Sequence, residues 1–149
     1  MAASTIPTDG SIHKVEISLD GGSTWNLLGY QKEVSLNLNT DMREITSKTQ
    51  CNFREKVPTV SNWTISGTAE VMTDETDGKN IKTMIGQLRL TIDLRIHPID
   101  CAGSEITGEL TYYGSGHFST LDISFPEKDT ATYNYTFEGS GELTVEEVV

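Results

Sequence analysis

Four stretches of the chain alternate between apolar and polar side chains at every second position: residues 33–39, 62–71, 118–125 and 131–138. This period predicts β-strands with one packed face and one wet face. The wet face carries short hydroxyls and amides interrupted by acids, and none of its positions is Lys or Arg: Glu33, Ser35, Asn37, Asn39, Asn62, Thr64, Ser66, Thr68, Glu70, Thr120, Asp122, Ser124, Thr132, Asn134, Thr136 and Glu138. A sheet face without basic residues is not expected to bind a nucleic acid backbone.

Further strands are predicted on either side of these four. Residues 14–19 and 25–30 flank a Gly-rich turn, and residues 89–97 alternate up to Pro98. Residues 106–113 and 143–148 add two more strands, with turns expected at 114–116, 126–130 and 139–141. One helix is predicted near residues 79–87, because Ile81, Met84, Ile85 and Leu88 share one helical face. The fold class is therefore mainly β, an antiparallel β-sandwich or open barrel with one flanking α-helix.

Two segments fall outside this pattern. Residues 1–11 are polar and are interpreted as a flexible N-terminal arm of a single domain spanning 1–149. Residues 40–61 lack the alternation and are interpreted as a long loop. Because a loop of this length is usually functional or ordered by a neighbouring molecule, it is the first indication of an oligomer.

Charge and composition exclude several classes of protein. Residues 1–99 hold 12 acids and 10 bases, whereas residues 100–149 hold 10 acids and one base. This acidic balance argues against binding to DNA or to an anionic membrane. No stretch is long and apolar enough to predict a membrane anchor, and the first residues do not resemble a signal peptide. The simplest interpretation is a soluble protein made in a cytoplasm, where Cys51 and Cys101 stay free thiols.

No motif predicts catalysis. Residues 18–25 match the Asp-box of sialidase propeller blades, but a single copy indicates a structural hairpin and not a propeller. The acids at 74–77 do not complete a calcium loop, and His13, His97 and His117 have no metal-binding spacing and are expected at the surface. We therefore expect no enzyme, no metal site and no cofactor.

Two blocks carry a family likeness: residues 46–71, where a Thr-Ser-Lys segment leads through a Pro into a Trp-containing strand, and residues 106–144. Together with the helix near 79–87, their order resembles the major tail (tail tube) proteins of long-tailed bacteriophages over roughly residues 30–145. The resemblance implies a β-sandwich that forms hexameric rings, stacked into a tube through which DNA passes without specific binding.

The resemblance also implies a location and partners. The protein would lie in the virion tail after assembly in the host bacterial cytoplasm, beside other tail proteins such as the tape measure and the terminator. The sixteen polar positions would then line the channel. The loop at 40–61 would contact the next ring, with these candidate contact residues: Thr46, Ser47, Lys48, Arg54 and Lys56.

Two other functions remain open from the sequence. A free-standing β-sandwich that binds carbohydrate or mediates adhesion would present exposed aromatic residues on one sheet face. The inner tube of a contractile tail or injection system would share the architecture of the phage tube.

Overall fold

Antiparallel strands form most of the protein in the computed structural model, which describes residues 9–28, 30–45, 55–71, 81–86 and 88–149. A 3-10 turn at Gly10–Ile12 precedes the first strand. The strands and the helix follow in this order: β1 (His13–Ser18), β2 (Asn26–Leu27), β3 (Tyr30–Ile45), β4 (Glu55–Glu70), α1 (Ile81–Gly86), β5 (Ile92–Pro98), β6 (Leu110–Ser124), β7 (Thr132–Gly139) and β8 (Thr144–Glu147). The predicted fold class is confirmed.

Strand β6 joins the two halves of the sheet, whose strand order is β2-β1-β5-β6-β7-β4-β3. Its first part pairs with β5 along one edge and with β8 along the other. Its second part, from Gly116 to Ser124, pairs with β7. The half containing β1 and β5 therefore continues through β6 into a four-stranded half made of β6, β7, β4 and β3.

Both halves contribute side chains to one hydrophobic core, which includes Val15, Ile17, Leu94, Ile65, Phe137 and Phe118. The aromatic residues meet at an angle: the Phe118 ring stands edge-on to Phe137, with 5.2 Å between centroids. Edge-to-face pairs of this kind add to the stabilisation from burial alone. The two halves thus pack as the layers of a sandwich.

The Gln31 side chain links β3 of one half to β1 of the other. The Val15 N–H donates to Gln31 Oε1, and Gln31 Nε2 donates to the Val15 carbonyl, both at 2.7 Å. Because β1 and β3 have no ladder between them, the Gln31 amide takes the place of a backbone hydrogen-bond pair.

We expect Gln31→Leu to lower the free energy of unfolding by about 1–3 kcal/mol, because it leaves the buried Val15 N–H without its partner and removes one of the two hydrogen bonds that the Val15 carbonyl accepts, the other coming from the Leu28 N–H. Urea denaturation measures the loss. Ser35→Ala, an exposed change on the same strand, is the control and should alter stability by less than about 0.5 kcal/mol. Equal stability of both variants would contradict the assigned role.

Two core tyrosines have buried hydroxyls without a hydrogen-bond partner in the described part of the chain, Tyr133 and Tyr135. We expect either Tyr→Phe change to leave stability unchanged or to raise it, because no bond is lost. Burial raises the pKa of Tyr133 from 10.0 to about 12, and that of Tyr135 in the same direction. The neutral form is favoured only in the folded state, so stability should fall as pH rises from about 10 towards about 12.

Urea midpoints at pH 8 and pH 11 test this expectation. The drop should be smaller in Tyr133→Phe than in the wild type. A drop of the same size in both proteins would remove Tyr133 from the explanation.

The loop predicted at 40–61 is largely wrong. Residues 40–45 and 55–61 belong to β3 and β4, which form a hairpin of two 16-residue strands. The sequence shows no alternation there because both strands are exposed on each side, so no face had to be apolar. Pro58 sits beside Met42 next to a register shift, where a missing N–H is tolerated. Residues 46–54 lie outside the described residues.

The turn predicted at 114–116 is also wrong, since β6 runs through it without a break. Its glycines serve close packing: a Cβ on Gly114 would collide with the Trp63 indole, and one on Gly116 would collide with the Glu138 carbonyl. Glycine in a strand often marks such an approach.

The predicted helix is present as Ile81–Gly86, within the range 79–87. Met84 is buried and Leu88 packs against the core, but Ile85 is half exposed. Of the predicted arm at 1–11, only residues 9–11 are described, and the Asp9 side chain caps the short turn there. Residues 1–8 lie outside the described part.

Candidate functional site

The sixteen predicted polar positions lie together on one side of the four-stranded half of the sheet, which we call the polar face. Strand register aligns them in rows across β3, β4, β7 and β6: Glu33–Thr68–Asn134–Asp122, Ser35–Ser66–Thr136–Thr120, Asn37–Thr64–Glu138, Glu70–Thr132–Ser124 and Asn39–Asn62. All sixteen are exposed or half-buried.

Apolar neighbours of these positions point to the other side of the same strands. Trp63, Ile65 and Ala69 of β4 are buried, as are Tyr133, Tyr135 and Phe137 of β7. A carbohydrate-binding module would need such aromatics exposed. Their burial leaves the polar face without a stacking platform.

Two basic side chains, Lys32 and His117, also lie at the polar face, although sequence alternation did not predict them there. A register shift between Gln31 and Glu33 brings Lys32 onto its rim, where Nζ lies 3.7 Å from Glu70 Oε1. His117 stands opposite Glu138 and exchanges a hydrogen bond with Thr91 Oγ1 at 2.8 Å. Local alternation could not reveal either, because both positions depend on where β-bulges interrupt the register.

Hydrogen bonding on the polar face is mostly to neighbouring strands and to solvent. Thr68 Oγ1 donates to Asn134 Oδ1 at 2.7 Å, which ties β4 to β7. The hydroxyls and amides of the sixteen positions bind water, and the carboxylates repel anions. In the described part of the chain, no hydroxyl of these sixteen is hydrogen-bonded to a histidine that would activate it; the Thr91–His117 pair lies beside them. The described residues contain no group of three or more His, Cys, Asp or Glu that could hold a metal ion.

One of the five candidate ring-contact residues lies in the described part of the chain. Lys56 lies in β4 opposite Glu44 and is exposed. The other four, Thr46, Ser47, Lys48 and Arg54, lie outside the described residues. The described part of the hairpin also exposes apolar side chains, among them Met42, Val57 and Val60.

A charged cluster lies on the outer side of β1 and β5, away from the polar face. Glu16 Oε1 accepts from Arg95 Nε at 2.9 Å and contacts His97 Nδ1 at 2.6 Å, and His97 Nε2 lies 3.1 Å from Glu105. His97 is therefore buried and not at the surface as predicted. The neighbouring cleft of about 380 Å³ also contains Trp25, whose ring is covered by the Arg95 guanidinium at 4.4 Å.

The Asp-box sequence forms a structural hairpin, as predicted. Ser18 Oγ donates to Asp20 Oδ1 and accepts from the Gly22 N–H, both at 2.8 Å. The Thr24 N–H also donates to Asp20, which lowers the pKa of that carboxyl below its usual value. These hydrogen bonds stabilise the turn, which gives the Ser18 and Asp20 side chains a structural role.

No helix in the described ranges is both long enough and apolar enough to span a bilayer.

Solved structures with the same fold come from tails and injection machines. A chain in the tail of an empty gene transfer agent particle with C6 symmetry superposes with a TM-score of 0.73 at 15% identity, covering 93% of this chain and 98% of that one. The SPP1 tail tube gives 0.69 at 13% identity, covering 96% and 81%. A sheath-tube complex of an extracellular contractile injection system (PVC) gives 0.69 at 19% identity, covering 97% and 94%.

No curated protein matches the sequence. The family model described as "Phage tail tube protein" matches residues 10–145, which is nearly the whole chain. The protein therefore belongs to the phage tail tube protein family and is a structural, non-enzymatic component of the virion tail.

Proposed function

We propose that the protein forms hexameric rings which stack into a tail tube, and that the polar face is the wall of the channel through which DNA leaves the particle. One observation carries the proposal: all sixteen polar positions share one solvent-facing side of a sheet that has two open edges.

The open edges lie at opposite sides of the four-stranded half. In the described part of the chain, β3 pairs only with β4, and residues 118–124 of β6 pair only with β7. Unpaired edges of this length can form backbone hydrogen bonds with a strand of another chain. Rotation about a ring axis keeps strand directions, so β6 of one subunit would run antiparallel to β3 of the next.

Ring closure of this kind gives a channel of suitable size. Six copies of four strands make a barrel of 24 strands, six being the symmetry of the gene transfer agent tail. With strands about 4.8 Å apart and tilted by about 40°, the backbone diameter would be about 48 Å. Side chains on the inner wall still leave room for a DNA duplex.

The side chains of the polar face suit a channel through which DNA passes without binding to the wall. Its acids, such as Glu33, Asp122 and Glu138, repel phosphate within a Debye length of about 8 Å at physiological salt. Hydroxyls and amides keep the wall hydrated. Lys32 is held by Glu70, so few cations are available to hold the DNA backbone.

We assign contacts between stacked rings to the distal part of the β3–β4 hairpin, where Lys56 lies, and to the candidates Thr46, Ser47, Lys48 and Arg54 in the sequence between the two strands. The exposed apolar residues of its described part, Met42, Val57 and Val60, support this assignment, because exposed apolar side chains in one place are typical of a contact surface. The tape measure protein would fill the channel before ejection, and a terminator would close the last ring.

Purified protein provides the test of assembly. Light scattering and negative-stain electron microscopy should show rings of six and, at higher concentration, tubes. A chain that stays monomeric at all concentrations and forms neither would overturn the proposal.

The inner tube of a contractile machine is a second candidate. It is favoured by the likeness to the injection-system complex, whose TM-score equals that of the SPP1 tail tube. A sheath gene beside the gene for this protein would support it, and a tape measure gene without a sheath gene would support the non-contractile tail.

A further inference from the structure

An open apolar groove of about 990 Å³ lies beneath β3, on the core side of the sheet. Its apolar lining comprises Leu27, Val34, Leu36, Leu38, Ile96 and Tyr112. Leu38 is 65% exposed although it faces the same side as the core residues. An exposed apolar groove at an open sheet edge is typical of a binding surface.

The other open edge carries an aromatic side chain that is mostly exposed. Phe125 follows the last residue of β6 and is 76% exposed. Alternation places it on the same side as Leu121 and Ile123, which pack against the core. By this alternation Phe125 belongs to the core side of the sheet and not to the polar face.

We propose that Phe125 of one subunit inserts into the groove beneath β3 of the neighbouring subunit, so that the groove is a socket for a second copy of this chain. The inference rests on the proposed ring. When β6 of one subunit runs beside β3 of the next, all polar faces lie on one side of the joined sheet. Phe125 and the groove then both lie on the other side.

Burial explains both exposed features at once. The groove is lined by aliphatic side chains and Tyr112, which suit an aromatic ring, and its polar lining includes Ser11, His13 and Lys14. Aromatic anchors in apolar pockets commonly carry much of the energy of an interface. Edge pairing supplies backbone hydrogen bonds, and the Phe125 contact supplies apolar burial.

Cysteine pairs test this contact in assembled tubes. In a Cys51→Ser/Cys101→Ser background, Phe125→Cys is combined in turn with Val34→Cys, Leu36→Cys and Leu38→Cys, and tubes seen by electron microscopy are treated with a short bismaleimide. At least one pair should give covalent oligomers up to the hexamer. Ser124→Cys with the same partners is the control and should give none, because Ser124 lies on the polar face.

Failures of the two proposals are distinguishable. Wild-type protein that forms no rings overturns the proposed function, whereas tubes in which no Phe125 pair crosslinks overturn only the Phe125 contact. The chain's own residues 1–8, which precede Gly10 at the groove, are the competing occupant. Crosslinking within one chain between Ile6→Cys and Leu38→Cys, without intersubunit products from Phe125→Cys, would favour that occupant and overturn ours.

Substitutions at Phe125 give a second measurement if the cysteine variants do not assemble. Phe125→Ala should raise the protein concentration needed for assembly by about tenfold or more, and Phe125→Leu should raise it less. Both should unfold at the wild-type urea midpoint as monomers, because the side chain is exposed there. Assembly of Phe125→Ala at the wild-type concentration would overturn the proposal.

Discussion

Replacing Gly139 with alanine is expected to lower the free energy of unfolding by about 3 kcal/mol or more. A Cβ at this position would lie inside the Trp63 indole ring. The indole cannot move aside freely, because its Nε1 donates to the Gly141 carbonyl at 3.0 Å and its ring packs against Phe137. The collision must therefore distort either β7 or the core.

Urea denaturation followed by circular dichroism measures this effect. Gly86→Ala is the matched control: no atom lies within 4 Å of its added Cβ and its φ is not positive, so stability should change little or rise slightly. Combining Gly139→Ala with Trp63→Phe should recover part of the loss, because a smaller ring makes room. A Gly139→Ala protein as stable as the Gly86→Ala protein would refute the packing argument.

Reversing charge on the polar face is expected to slow or block DNA ejection. Asp122→Lys/Glu138→Lys changes the charge of each chain by four units on two exposed residues, without disturbing the core on the other side of the sheet. Six subunits in every ring would then offer cations to the DNA backbone, and each phosphate contact adds to the affinity. We expect ejection at least about tenfold slower, with partial recovery at high salt.

The control carries the same charge change at another place. Glu127→Lys/Glu142→Lys lies on exposed turns off the polar face and should eject DNA at the wild-type rate. Tail length and particle yield, measured by electron microscopy, show that both variants assemble. DNA release is followed with a fluorescent dye, and its rate is compared between the two variants. Equal rates in both variants would remove Asp122 and Glu138 from the channel wall.

Side-chain alternation predicted the four strands of the polar face well, because burial on one side only forces a period of two. The distal hairpin was missed for the same reason: β3 and β4 near Met42 and Pro58 bury neither face, so their sequence carries no such period. The same alternation puts Phe125 on the packed side, yet it is mostly exposed. Alternation predicts which side of a strand a residue faces, but not whether the subunit covers that part of the strand.

Glycines were the most misleading signal. Gly114 and Gly116 resemble a turn in sequence, but they are required where the Trp63 ring and the Glu138 backbone approach β6. Those neighbours lie 51 and 22 residues away along the chain, so local sequence could not distinguish a turn from a close approach. His97 was likewise assigned to the surface, because its partner Glu16 comes from a strand 81 residues earlier.

The sequence by itself determined which side chains share a strand face, the antiparallel β class and the absence of Lys and Arg from the sixteen polar positions, because these follow from local period and composition. Only the tertiary structure decided that those positions form one continuous face, that Lys32 reaches its rim and that two sheet edges stay open. Register, bulges and edges arise from pairing between distant segments, and local alternation carries no information about that pairing.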